Sequence, residues 1–237
     1  MGQDEGKKAA AARAVRYVKS GMVVGLGTGS TSMFFLDQLA ERVKIERLAI
    51  RGVPTSEVTA RKAAEYGIPL VEADAPFGVI DLTVDGADEV DPRGYLVKGG
   101  GGALLREKLV ALASERVLII VDPAKHVPVL GKTFKLPVEI VRFGWARTVE
   151  RLGAFGLSPV LRKKGDTAFV TDGNNHIADC TLVPDANIEG LARDIKMLPG
   201  VVEHGLFLGI ADLVVTGTSE GGFKEQRFGK QRLAPLA

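Results

Sequence analysis

The sequence predicts an α/β protein: a doubly wound, mostly parallel sheet domain with an inserted smaller α+β domain of ferredoxin-like order. Two observations carry that expectation. Short apolar runs alternate with amphipathic helical stretches through the first half and return near the end, the rhythm of strands covered by helices on both faces. Between residues 132 and 207 the order changes to β-α-β-β-α-β, that of a split βαβ unit. A third observation is that glycine-rich turns fall where strand gives way to helix, so a ligand site is expected at the carboxyl ends of the strands.

Taken in order, residues 3–19 are rich in Ala and Lys and read as a helix stopped at Ser20-Gly21. An apolar run enters GLGTGST (25–31), after which Met33, Phe34, Leu36 and Leu39 recur at helical spacing. RLAIRGV (47–53) reads as a strand ending at Pro54, and SEVTARKAAEYG (56–67) as a helix closed by Gly67. Apolar segments follow at 68–71 and 79–85, then the glycine run 99–102, a helix over 103–113, and the fully buried strand VLIIVD (117–122). PVEIV, RTVERLGAF, SPVLRKK, AFVTDGNNHIADC, NIEGLARDIKML and VVEHGLF form the inserted unit, with turns at Gly165-Asp166 and Asp172–Asn175. ADLVVTG (211–217) returns to the first domain. The expected domains are therefore 1–131 plus 208–237, and 132–207 inserted.

Composition narrows the function. With 46% hydrophobic and 25% charged residues the chain is of ordinary globular type. Its net charge of +2, from 31 basic and 29 acidic residues, gives no electrostatic case for nucleic acid. Cys180 is the single cysteine, so no internal disulfide exists and a buried structural thiol is expected. The amino terminus lacks an apolar signal region and no run is long enough to span a bilayer, so a cytoplasmic protein without a membrane partner is expected. His126, His176 and His204 show no metal spacing, and Phe134, Phe143, Trp145 and Phe155 are expected to pack the inserted unit.

The chemistry concentrates in DGADEVDPRGYLVKGGGGALLREK (85–108). Four adjacent glycines carry a large ordering cost, which makes sense where backbone must approach a ligand or present N–H groups. Asp85 and Asp88 at the end of a strand suit acid–base work, a divalent cation aided by Glu89 and Asp91, or a solvated acidic turn. On the helix beyond, Leu105, Leu109 and Leu112 make an apolar stripe, which places Glu107 on the opposite, exposed side. GLGTGST fits neither the dinucleotide nor the P-loop pattern and reads as a phosphate loop, with Thr28, Ser30 and Thr31 as hydroxyl donors, or as a tight turn with an N-cap. Lys125 is either at a strand end facing the crevice or a surface lysine.

GLGTGST (25–31), PTSEVT (54–59), VDGADEVD (84–91), KGGGGALLREK (98–108), VDPAKHVPVLGK (121–132) and LPGVVEHGLF (198–207) together resemble the A type of ribose-5-phosphate isomerase over nearly the whole chain. The resemblance implies interconversion of D-ribose 5-phosphate and D-ribulose 5-phosphate with no metal or organic cofactor. It implies Glu107 as proton acceptor and Asp85, Asp88 and Lys98 as active-site residues. For the sugar phosphate it implies Thr28, Gly29, Ser30, Thr31, Gly86, Ala87, Gly99, Gly100, Gly101 and Lys125, with Lys7 a further candidate, and it implies a homodimer or higher homo-oligomer. The rival from another class is a non-catalytic sugar-phosphate-binding sensor.

Overall fold

The structure is a computed structural model describing residues 2–72, 78–183 and 187–229. From the amino end run α1 (Gly2–Ala14), β1 (Val23–Leu26), α2 (Ser30–Glu46), β2 (Arg51–Pro54), α3 (Glu57–Glu65) and β3 (Leu82–Asp85). The short strands β4 (Glu89–Val90) and β5 (Leu96–Val97) precede α4 (Leu104–Leu112) and β6 (Val117–Val121). Then come β7 (Leu136–Ile140), α5 (Trp145–Gly153), β8 (Ser158–Leu161), β9 (Lys163–Lys164), β10 (Thr167–Ala168), β11 (His176–Thr181), α6 (Ile188–Lys196) and β12 (Val201–His204). β13 (Leu206–Phe207), β14 (Leu213–Gly217) and β15 (Phe223–Arg227) close the described chain.

The chain packs as two units, Met1–Ala87 with Arg106–Lys125 and Gly209–Ala237, and Asp88–Leu105 with His126–Leu208. In the first, six strands lie in the order β15-β14-β6-β3-β1-β2, all parallel except the antiparallel edge strand β15. β1, β3 and β6 are buried throughout, which is why they read as unbroken apolar runs rather than alternating ones. Their core is shared with Ala10, Ala14 and Val18 from the amino-terminal segment and Phe35, Leu36 and Leu39 of α2. The predicted segment at 68–71 contributes a single bridge, Gly52 to Leu70, and no full strand.

The second unit holds the antiparallel sheet β12-β7-β11-β8, with α5 and α6 in the connections, which is the predicted β-α-β-β-α-β order. A ribbon of β9 and β10 extends the β8–β11 hairpin. Residues 88–105, given to the first domain by sequence, fall in the second unit because β4 and β5 pair with each other and β5 pairs with β13. Phe134 and Phe155 pack against this unit's core as expected, whereas Phe143 is 96% exposed and Trp145 is exposed. The buried residues of α5 are Thr148 and Leu152, one turn apart; Phe143 precedes the helix, and Trp145 stands on the same face but at the helix's first residue, where it stays exposed. Cys180 is fully buried in β11, and burial pushes its thiol up to about 12, in keeping with a structural residue.

Glu139, buried on β7, accepts from Thr171 Oγ1 (2.8 Å) and Asn175 Nδ2 (3.0 Å), yet burial holds its carboxyl above the ordinary range. The folded carboxyl thus ionises at higher pH than the unfolded one, so its contribution to stability is greatest at low pH and falls as pH rises through that interval. Glu139→Gln keeps an acceptor for both donors and carries no charge. It is expected to raise Tm at about pH 7.5, with the difference closing below about pH 4. Calorimetry across that range checks this; a Gln variant less stable at neutral pH contradicts it.

Candidate active site

In the first unit the strand order turns back between β1 and β3, so their carboxyl ends diverge into connections on opposite sides and leave a crevice there. Asp85, the last residue of β3, is buried at that point. Its Oδ1 accepts from Thr28 N (3.0 Å), Ser32 Oγ (3.1 Å) and Gly86 N (2.7 Å). One carboxylate oxygen therefore fixes the turn after β1, the first turn of α2 and the turn after β3. Gly27 is required by this approach, since a Cβ there would overlap the Asp85 carboxylate and backbone.

Thr28 is held from its other side as well. Its Oγ1 lies 2.7 Å from Thr55 Oγ1, 2.8 Å from Ser56 Oγ and 3.2 Å from Thr59 Oγ1. Thr55 donates to the Leu26 carbonyl (3.1 Å) and Thr59 to the Gly27 carbonyl (3.0 Å), while Thr28 gives its single hydroxyl proton to Ser56 Oγ. Ser56 also caps α3 by accepting from Thr59 N (3.1 Å). Both Thr28 donors, N–H and O–H, thus have partners within the protein. Donors for an anion remain on the residues that follow. Gly29 sits at φ 107°, and α2 opens at Ser30 with no side-chain cap and no acidic residue in its first turn. Ser30 is exposed and Thr31 buried.

Glu107 departs from its expected exposure: it is 5% exposed, while Leu109 and Leu112 are 54% and 55% exposed. The inward face of α4 is made by the smaller residues Val110 and Ala111 together with Glu107 and Lys108, and Val110 packs with Val23, Val53 and Ile80. A Cβ on Gly25 would press on Val110, so the glycine in β1 lets this face of the helix lie close. Lys125, in the one-turn helix after β6, is half-buried, and Lys7 on α1 pairs with Asp4 at 3.5 Å.

In the second unit the structure brings Asp88, Lys98 and the glycine run together. Asp88 N donates to the Val97 carbonyl (2.8 Å), Lys98 N to the Gly205 carbonyl (2.9 Å), and Gly100 N to Asp88 Oδ2 (2.8 Å). Lys98 is buried, with Nζ 5.5 Å from the centre of the Phe207 ring. Gly99 and Gly102 have φ of 106° and 82°, and Gly102 N closes a turn onto the Gly99 carbonyl (3.0 Å). The neighbouring acids are structural. Glu89 accepts from Gly131 N, Thr133 N, Thr133 Oγ1 and Phe134 N, and Asp91 from Arg93 and Tyr95, so neither presents a free set of oxygens to a cation. Among the described residues no group of three His, Cys, Asp or Glu side chains could hold a metal ion.

Residues 51–221 match the family described as ribose 5-phosphate isomerase A (phosphoriboisomerase A). The chain belongs to that family. It is an enzyme, an isomerase. It is 47% identical over 229 residues to ribose-5-phosphate isomerase A of Parvibaculum lavamentivorans, covering 93% of this chain and 97% of that one. Ribose 5-phosphate isomerase A of Methanocaldococcus jannaschii superposes with a TM-score of 0.87 at 38% identity, over 93% and 97% of the two chains. A D-ribose-5-phosphate isomerase solved in complex with phospho-erythronic acid superposes with a TM-score of 0.91 at 36% identity, over 96% and 100%.

For this ribose 5-phosphate isomerase A family member, the residues that sequence reasoning passed over are Ser32, Thr55, Ser56 and Thr59. Three of them lie in PTSEVT, a motif quoted above for resemblance alone. Its signal was the density of short hydroxyl side chains directly after a strand, where they can reach a neighbouring strand end. Among the described residues no helix is long and apolar enough to cross a membrane.

Proposed function

We propose that this chain interconverts D-ribose 5-phosphate and D-ribulose 5-phosphate through a cis-enediolate, as a step of the non-oxidative pentose phosphate pathway. Membership of the isomerase family carries the proposal, and the geometry supports individual roles. Glu107 takes the proton from C2 of the open-chain aldose and returns it to C1, a transfer one carboxylate can perform on one face of the intermediate. Lys98 Nζ and backbone N–H groups of the glycine run stabilise charge developing on the substrate oxygens. Asp88 handles hydroxyl protons, including those of furanose ring opening, while Asp85 holds the turn after β1 in shape. Gly29, Ser30 and Thr31 anchor the phosphate, with Gly86, Ala87, Lys125 and Lys7 as further contacts, so that remote binding energy orients the reacting carbons.

The proposal includes a homodimer or higher homo-oligomer in the cytoplasm with a sugar phosphate as its partner. It needs neither metal nor organic cofactor, because the roles above are filled by carboxylates, a lysine and peptide groups. The test is to incubate purified protein with ribose 5-phosphate and EDTA, without nucleotide, and follow ketose formation. Ketose should accumulate. Binding without conversion would favour a sugar-phosphate sensor, and activity restored only by added divalent metal would reassign the acids.

The anchor makes a separate prediction. Ser30→Ala with Thr31→Ala should lower the preference for ribose 5-phosphate over unphosphorylated ribose by about tenfold in kcat/KM, the worth of roughly one charge-assisted hydrogen bond. Loss of stability alone would reduce both sugars equally. An unchanged ratio on folded protein moves the phosphate elsewhere, with Lys7 and Lys125 next.

A further inference from the structure

We propose that Arg162 is a positioning residue for the glycine loop, and that the N–H it aims at the developing substrate oxyanion is that of Gly101. The inference deepens the isomerase reading and rests on it. Arg162 follows β8 in the second unit, within SPVLRKK, a segment that reads in sequence as a strand of the inserted unit. Its backbone is fixed in the hairpin, since Arg162 N donates to the Ile177 carbonyl (2.8 Å) and Phe169 N to the Arg162 carbonyl (2.9 Å).

The guanidinium works as a fork. Nε and Nη2 donate to the two oxygens of Asp179, at 2.9 and 2.5 Å, and both side chains are largely buried. Nη1 points the other way and donates to two consecutive carbonyls of the loop, Gly99 (2.9 Å) and Gly100 (3.1 Å). Phe169 completes the grip: its ring lies 5.8 Å from the guanidinium carbon and occupies the space a Cβ on Gly102 would need. A lysine could not reproduce this, because one ammonium lacks the planar fork that meets a carboxylate on one edge and two carbonyls on another.

What the grip does follows from peptide geometry. In a trans peptide the carbonyl and the next N–H point in opposite directions. With the Gly99 carbonyl on Arg162, the Gly100 N–H must point away from the guanidinium, and it does, onto Asp88 Oδ2 at 2.8 Å. By the same relation the Gly100 carbonyl on Arg162 turns the Gly101 N–H away from the guanidinium. Among the described residues no hydrogen bond engages that N–H, and Gly101 is exposed. Arg162 thus sets two successive N–H groups, one orienting a candidate catalytic carboxylate and one open to a ligand oxygen. Asp179 balances the arginine's charge, so the effect is one of aim.

The test uses Arg162→Met, Arg162→Lys and Asp179→Asn in the full-length protein, with each variant's folded fraction measured by circular dichroism. Ribose 5-phosphate is the substrate. Phospho-erythronic acid is the probe for the oxyanion end, because its carboxylate sets two charged oxygens at the end of the carbon chain remote from phosphate, and inorganic phosphate is the probe for the anchor alone. Arg162→Met is expected to lower kcat by about 10- to 100-fold, less than full removal of an oxyanion donor, and to weaken phospho-erythronic acid by a similar factor. KM for ribose 5-phosphate should rise by less than the fall in kcat, and inorganic phosphate should bind within about twofold of the wild type, since the anchor is untouched. Arg162→Lys should not restore kcat. Unchanged kcat per folded molecule, or equal weakening of phosphate and phospho-erythronic acid, would overturn the proposal. If Arg162→Met does not fold, Asp179→Asn keeps the guanidinium and loosens its fork; the same selective loss is expected, and its absence would overturn the proposal. A wild type that does not isomerise ribose 5-phosphate would instead sink the isomerase reading.

Discussion

Glu107→Gln is expected to fold, to bind ribose 5-phosphate with little change in KM, and to lose roughly 10²–10⁴-fold in kcat, the usual contribution of a positioned general base. The amide keeps the shape of the carboxylate but cannot accept a proton from carbon. Burial makes this a clean substitution: Glu107 lies on the inward face of α4 beside Val110 and Ala111, so its rotamer is set by packing rather than by solvent. Steady-state kinetics on folded protein checks the split between kcat and KM. A variant with near-normal turnover would remove Glu107 from the proton-transfer role.

Gly27→Ala is expected to be nearly as damaging by a different route. The added methyl would overlap Asp85 at its Cα (2.6 Å) as well as at its carboxylate, and backbone cannot step aside as a flexible side-chain end can. Overpacking of this kind costs about 1–3 kcal/mol, a fall in Tm of roughly 3–10 °C for a protein of this size. The larger consequence is positional, because Asp85 Oδ1 is what Thr28 N, Ser32 Oγ and Gly86 N all share. Displacing that oxygen moves the turn that precedes Gly29 and Ser30, and misplacement by about 1 Å can cost on the order of 10²-fold in kcat/KM. Gly153→Ala is the control, since a Cβ at the end of α5 meets nothing within 4 Å. It should keep Tm and activity. A Gly27→Ala enzyme indistinguishable from that control would show that the turn is not held by Asp85.

Much of this arrangement is legible in the residues. The run GLGTGST does join a buried strand to a helix, and Asp85 does end one, because apolar runs broken by glycine and acid mark where strands leave the sheet. The order of the second unit is also readable, since turn residues at 165–166 and 172–175 separate its strands. The face of α4 is not. Leu105, Leu109 and Leu112 share one side, but periodicity says only which residues share a face and not which face meets the sheet. Here the smaller Val110 and Ala111 allow the closer approach, and Leu109 and Leu112 of the richer stripe are left outside, with Leu105 half-buried.

Long-range polar pairs are hidden for a related reason. Thr28 meets Ser56 and Thr59 across 28 and 31 positions, and Arg162 meets Gly99 across 63. No local pattern encodes such distances; each exists because two strand ends or a strand and a loop become neighbours only once the sheets form. The same holds for residues 88–105, whose short strands find their partner at Leu206–Phe207.

The most direct test of proton transfer through an enediolate is proton NMR of the wild-type protein with ribose 5-phosphate in D₂O, with EDTA present and no nucleotide. Ribulose 5-phosphate should form with deuterium entering at C1, and recovered ribose 5-phosphate should gain deuterium at C2, because a carboxylate that holds the proton between carbons exchanges it with solvent over many turnovers. No ketose, or ketose still free of deuterium at equilibrium, would contradict the account.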